Sequence, residues 1–91
     1  MLRQKSGIVK REIAGETFLV PVTGKIASLK RVFILNEVAG IVWDQLAQPA
    51  EPDDLAAAVV KEFEVDPETA RADVTELLQA LEENGLTEPV A

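Results

Sequence analysis

The chain has 91 residues, 47% of them hydrophobic, with no Cys, His or Tyr, a single Trp and a net charge of −7. Without Cys or His there can be no disulfide, thiolate nucleophile or Cys/His zinc site, and the commonest proton shuttle is missing, so the residue set argues against an enzyme. No apolar run reaches the ~20 residues of a membrane helix and "MLRQKSGIVKREIAGE" has no signal-type apolar core, so one small cytoplasmic domain over residues 1–91 is expected.

The charge is unevenly spread. Residues 1–35 hold seven basic residues (Arg3, Lys5, Lys10, Arg11, Lys25, Lys30, Arg31) against Glu12 and Glu16, a net of +5. Residues 36–91 hold two basic residues, Lys61 and Arg71, against fourteen acids, a net of −12. Two differently charged solvated faces explain this, as do two walls of one binding site.

"IVKREIA", Ile8–Ala14, alternates weakly, and "TFLVPV", Thr17–Val22, is rich in β-branched and aromatic residues. Gly15 between them offers a positive φ, so the two read as a β-hairpin over about 8–14 and 17–22. Pro21 cannot donate to a ladder and suits an edge or a strand end. Thr23–Lys30 reads as a connector, with Gly24 marking a turn. "RVFIL" is the third strand, about 31–35, with Val32 and Ile34 on one face and Arg31, Phe33 and Leu35 on the other.

Asn36 is a helix N-cap and Glu37 sits favourably at the positive end of the helix dipole, which starts a helix over about 37–47. Its apolar stripe is Val38, Ile41, Val42 and Leu46, with Trp43 sealing the edge of the core. Gly40 falls mid-helix, where close approach by another backbone would account for it. Pro52 at the first helical position opens a second helix, about 52–63, with the stripe Leu55, Val59, Val60, Phe63. Asp66-Pro67 opens a third, about 67–84, with the stripe Ala70, Val74, Leu77, Leu78, Leu81. Gly85 closes it as C′, and Leu86 is placed for the apolar contact of a Schellman end.

The order β-β-β-α-α-α gives an α+β domain in which each helix lays one face on a shared core. No nucleotide-binding, EF-hand or zinc-protease motif occurs. Asp53-Asp54 is a helix-start pair that suits the dipole better than a cation, because adjacent helical residues diverge by about 100°. A winged helix-turn-helix would read DNA with its third helix, but that helix carries Glu68, Asp73, Glu76, Glu82 and Glu83 against Arg71 alone. Phosphate neutralisation needs the opposite sign, so nucleic acid is not an expected partner.

The segments "EIAGETFLVPVTG", "FILNEVAGIVWDQL" and "PDDLAAAVVKEFEVDPETARADVTELLQALEENGL" together resemble the PqqD-like family, also called RiPP recognition elements. The resemblance runs from Glu12 to Leu86. It is carried by Leu35-Asn36-Glu37 with Ile41-Val42-Trp43, by Asp66-Pro67, and by Leu81 with Asn84-Gly85-Leu86. It implies a winged helix-turn-helix-like fold, a three-stranded antiparallel sheet followed by three helices, with no catalysis and no cofactor. It also implies binding of the leader of a ribosomally made precursor peptide, which is presented to a modifying enzyme, often a radical S-adenosylmethionine protein.

On that resemblance the leader adds a strand at the edge formed by Lys30, Arg31, Val32, Phe33 and Ile34, facing Arg71, Thr75, Leu78 and Glu82 of the third helix. The other side of the same helix offers Asp73, Glu76 and Ala80. Strand addition supplies main-chain hydrogen bonds and alternating side-chain pockets, and Lys30 and Arg31 would attract acidic leader residues. The chain departs from the family pattern where Thr23–Lys30 replaces a short turn. It also lacks features of the members serving pyrroloquinoline quinone synthesis, so that pathway is not assigned. A structural or regulatory interaction domain of the same fold is the alternative. Without peptide, the open edge is available to a second copy of the chain, and light scattering at rising concentration would register such a dimer.

Overall fold

The computed structural model describes residues 1–21 and 33–90. The expected connector Thr23–Lys30, and with it the expected contact residues Lys30, Arg31 and Val32, lie outside the described residues.

Strands β1 (Leu2–Gln4), β2 (Ile8–Ile13), β3 (Glu16–Pro21) and β4 (Phe33–Leu35) precede helices α1 (Glu37–Gln45), α2 (Pro52–Glu62) and α3 (Pro67–Glu83), and β5 (Thr87–Pro89) closes the chain. The fold is α+β, with a three-stranded antiparallel sheet in the order β2-β3-β4 followed by three helices.

β2 and β3 form a hairpin in which Ile13 faces Glu16 across Ala14-Gly15. Both turn residues have positive φ, 54° at Ala14 and 82° at Gly15. That pair of angles matches the right-handed twist of the strands, and it is why β2 stops at Ile13 rather than Ala14. Leu19, fully buried, lies between Lys10 of β2 and Phe33 of β4, so its face of the sheet is the inner one. Phe33 and Leu35 share this face by alternation, and Ile34 points away with 62% of its surface exposed.

The core joins Leu19 and Leu35 of the sheet to residues from all three helices. In α1 the buried face is Ala39, Val42 and Trp43, followed by Leu46, with Val38 only half-buried. The helix is thus rotated relative to the stripe read from the sequence, and Trp43, 3% exposed, sits inside the core rather than at its edge. The large indole gains more from full burial than Val38 does, so it takes the inward position. α2 buries Leu55, Ala56 and Val59, and α3 buries Ala70, Val74, Leu78 and Leu81. Leu46, Leu55 and Leu81 are fully buried, and truncating any one to Ala would cost about 2–5 kcal/mol.

Local chemistry sets the helix ends. The Ala39 N–H donates to Asn36 Oδ1 at 2.8 Å. Pro52 and Pro67 each occupy the first turn, where a missing N–H costs nothing. At the end of α3 the Leu86 N–H donates to the Leu81 carbonyl and the Gly85 N–H to the Glu82 carbonyl, both at 3.0 Å. With Gly85 at φ 69°, this is a Schellman end.

One element pair is new relative to the sequence reading. β1 and β5 form a separate antiparallel ribbon that joins the two ends of the chain. The Leu2 and Gln4 N–H groups donate to the Ala50 and Leu46 carbonyls, and Lys5 N–H to the Leu86 carbonyl, all at 2.9 Å. Gln4 Nε2 donates to the Trp43 carbonyl at 2.6 Å, and Arg3 pairs with Glu88 at 2.8 Å. The ribbon therefore binds the end of α1, the α1–α2 loop and the end of α3 together. Three-residue strands carry too little periodicity to be seen in a sequence.

Thr87 in β5 is 7% exposed, and its hydroxyl has no hydrogen-bond partner among the described residues. Thr87→Val keeps the shape and removes a buried unpaired group. It should raise stability by about 1 kcal/mol in urea unfolding; a loss of stability would show that the hydroxyl is satisfied.

Candidate functional site

β4 ends its sheet. β3 takes one of its edges, and among the described residues no strand pairs with the other. Beside this strand lies a cleft of about 420 Å³. Phe33 and Ile34 form the strand side, Asn36, Val38 and Ala39 the floor from α1, and Asp73, Glu76, Leu77 and Ala80 the α3 wall. The four α3 residues follow i, i+3, i+4, i+7 spacing, which puts them on one stripe of the helix.

The cleft is amphipathic. Phe33, Val38, Leu77 and Ala80 are half-buried, so each keeps apolar surface for a ligand, and Asp73 and Glu76 are exposed on the rim. A second hollow of about 620 Å³ shares Ile34 and Asn36 with the first and continues over Thr17 and Gly40 towards the hairpin turn. The Lys10 Nζ, on the inner face of that hairpin, donates to Asp44 Oδ1 of α1 at 2.7 Å and fixes the hairpin against the helix.

Of the residues expected to meet a peptide, Phe33 and Ile34 line the cleft. The α3 residues Arg71, Thr75, Leu78 and Glu82 do not. Leu78 is only 7% exposed and belongs to the core. Arg71 turns to α2, where its guanidinium pairs with Asp53 at the rim of a separate apolar hollow between α2 and α3. Thr75 and Glu82 are exposed elsewhere on the helix. The side of α3 that faces β4 is the alternative one, Asp73, Glu76 and Ala80, together with Leu77. α3 buries Ala70, Val74, Leu78 and Leu81 and turns Arg71 to Asp53 of α2, while the stripe Asp73, Glu76, Leu77 and Ala80 faces the sheet edge. The stripe alone could not distinguish the two, and Leu77 reads as core in it. The adjacent aspartates divide as their directions require: Asp53 pairs with Arg71, and Asp54 Oδ2 accepts the Glu51 N–H at 3.2 Å.

The family match spans the same framework. Residues 16–86 match the model of the family described as coenzyme PQQ synthesis protein D. The chain belongs to this PqqD family. The matched segment runs from β3 through the end of α3, so the cleft of this PqqD-family chain lies inside it and the β1–β5 ribbon outside it. No curated protein matches the chain in sequence. Two solved structures match nearly its whole length. TbiB1 in complex with the TbiA(beta) leader peptide is 25% identical, with 98% of each chain covered and a TM-score of 0.76. Lasso peptide synthetase B1 complexed with the leader peptide is 24% identical, with 97% of this chain and 98% of that chain covered and a TM-score of 0.77.

Gly40 corrects an expectation. Among the described residues a Cβ there would meet no atom within 4 Å, so none of them approaches closely enough to require glycine. It faces the second hollow instead. Gly40→Ala should stabilise the free chain by about 0.5–1 kcal/mol through helix propensity alone. A lower thermal midpoint than the parent would contradict this.

Proposed function

We propose that this chain is a non-catalytic recognition module that takes up the leader of a ribosomally made precursor peptide. It presents that peptide to a modifying enzyme, for which a radical S-adenosylmethionine protein is the leading candidate, in the cytoplasm. The observation that carries the reading is the edge of β4 beside the α3 cleft, unpaired among the described residues, in a fold shared with two proteins solved with leader peptides.

The physics of strand addition explains how the site would work. An exposed strand edge offers unpaired N–H and C=O groups, and an extended peptide satisfies them. Those main-chain bonds give affinity without reading sequence. Alternate side chains of the added strand point to the inner side, shared with Phe33, and so into the cleft. There they meet Leu77 and Ala80, with Asp73 and Glu76 at the rim. Side chains on the outer side lie next to Ile34. Lys30, Arg31 and Val32, adjoining β4 in sequence, belong to the same proposed contact set. The whole arrangement holds and orients a chain and moves no proton.

The test is an amide chemical-shift titration of the labelled protein with leader segments of precursors encoded beside its gene. Saturable shifts along Phe33–Leu35 and at Asp73–Ala80 are expected. Absence of shifts with every segment, in a folded sample, would overturn the reading. Ile34→Ala removes an exposed side chain, so stability should stay within about 0.5 kcal/mol of the parent. Leader affinity should fall about 3- to 10-fold by calorimetry, as for loss of one apolar contact.

A further inference from the structure

The two hollows share Ile34 and Asn36 and together make a trough whose described charged lining residues are acidic but for Lys10. Asp73 and Glu76 line the first part, and Glu12, Glu16 and Glu37 line the second. The single described cation along it, Lys10, already has its ammonium on Asp44. None of the five carboxylates takes part in an ion pair among the described residues.

We propose that the trough selects leader segments carrying Lys or Arg at alternate positions, interleaved with apolar residues. This rests on the peptide-binding reading above and specifies the chemistry of what binds. Acidity alone defines no site; the edge of β4, unpaired among the described residues, gives the place for an added strand. A strand in that place points every second side chain towards the helices. Near α3 such a side chain has the apolar surface of Leu77 and Ala80 beneath it and the carboxylates of Asp73 and Glu76 at its tip. A Lys or Arg satisfies both, with its methylene stem on the apolar part of the α3 wall and its charge at the rim. An Asp or Glu at that position would meet like charge and lose the apolar contact. Charge complementarity of this kind acts chiefly on selectivity and on the rate of encounter.

The test starts with the full chain, immobilised and panned against a random peptide display library. Enriched peptides are then mapped by amide shifts on the labelled protein. Enrichment of Lys or Arg at alternating positions, with shifts along Phe33–Leu35, is the expected result. Asp73→Asn combined with Glu76→Gln should weaken those peptides about 3- to 10-fold, the range for two exposed charge contacts, and added salt should narrow the difference. Both residues are exposed, so the fold should be unaffected.

Enrichment of uncharged peptides, or of acidic ones as Lys30 and Arg31 would favour, with shifts still on β4, would overturn the charge selection and leave peptide binding standing. Equal affinity of the parent and the double variant for the basic peptides would overturn it as well. No enrichment, or shifts away from β4 and α3, would overturn both.

Discussion

Asn36 Oδ1 accepts the Ala39 N–H at 2.8 Å, one residue after Leu35 has entered the core at 5% exposure. The chain therefore turns from strand to helix with no loop between them. This corner determines the geometry of the site. It sets α1 beneath the inner face of the sheet as the floor of the cleft, and it ends β4 before a further strand can follow it on the outer side. The cap is a single side-chain hydrogen bond worth about 1 kcal/mol, yet it is where β4 gives way to the floor of the cleft.

The opposite wall depends on a different set of contacts. α3 is held by Ala70, Val74, Leu78 and Leu81 in the core and by the Arg71–Asp53 pair towards α2. The exposed ion pair adds little stability, so position comes mainly from the leucines and valine. These contacts orient α3 so that the stripe with Asp73 and Glu76 lies on the cleft. The Schellman end and the β1–β5 ribbon then tie the end of α3 to Leu46 and Ala50, so the wall cannot drift from the floor. In a chain this small, net stability is a few kcal/mol, and such terminal ties are a substantial part of it. A floor and wall held in place by core packing and terminal hydrogen bonds need little ordering when a ligand arrives.

Much of this was legible in the sequence, for definite reasons. Asn36, Pro52, Pro67 and Gly85 each mark a helix end through a backbone rule that acts within a few residues. The hairpin shows in Gly15 and the flanking β-branched residues, and the α+β class follows from the order of periods. The ribbon was not legible, because Leu2–Gln4 and Thr87–Pro89 are too short for a pattern and pair across the whole chain length. Trp43 was read at the edge of the core because helical spacing gives a stripe only to within one residue's rotation. The side of α3 facing β4 was also out of reach. Arg71 and Asp73 border the same apolar stripe, and only the tertiary arrangement turns Arg71 to α2 and Asp73 to the cleft. Phe33 and Ile34, by contrast, were expected there from the family resemblance, and both line the cleft.

The central claim is that a peptide backbone completes the sheet at β4. Cross-strand nuclear Overhauser contacts between an isotope-labelled chain and a bound, unlabelled leader peptide test it most directly. The account predicts backbone proton contacts from the peptide to Phe33, Ile34 and Leu35 in an alternating ladder. A bound peptide with no backbone contact to those three residues, or with contacts only to the α2–α3 hollow, would contradict it.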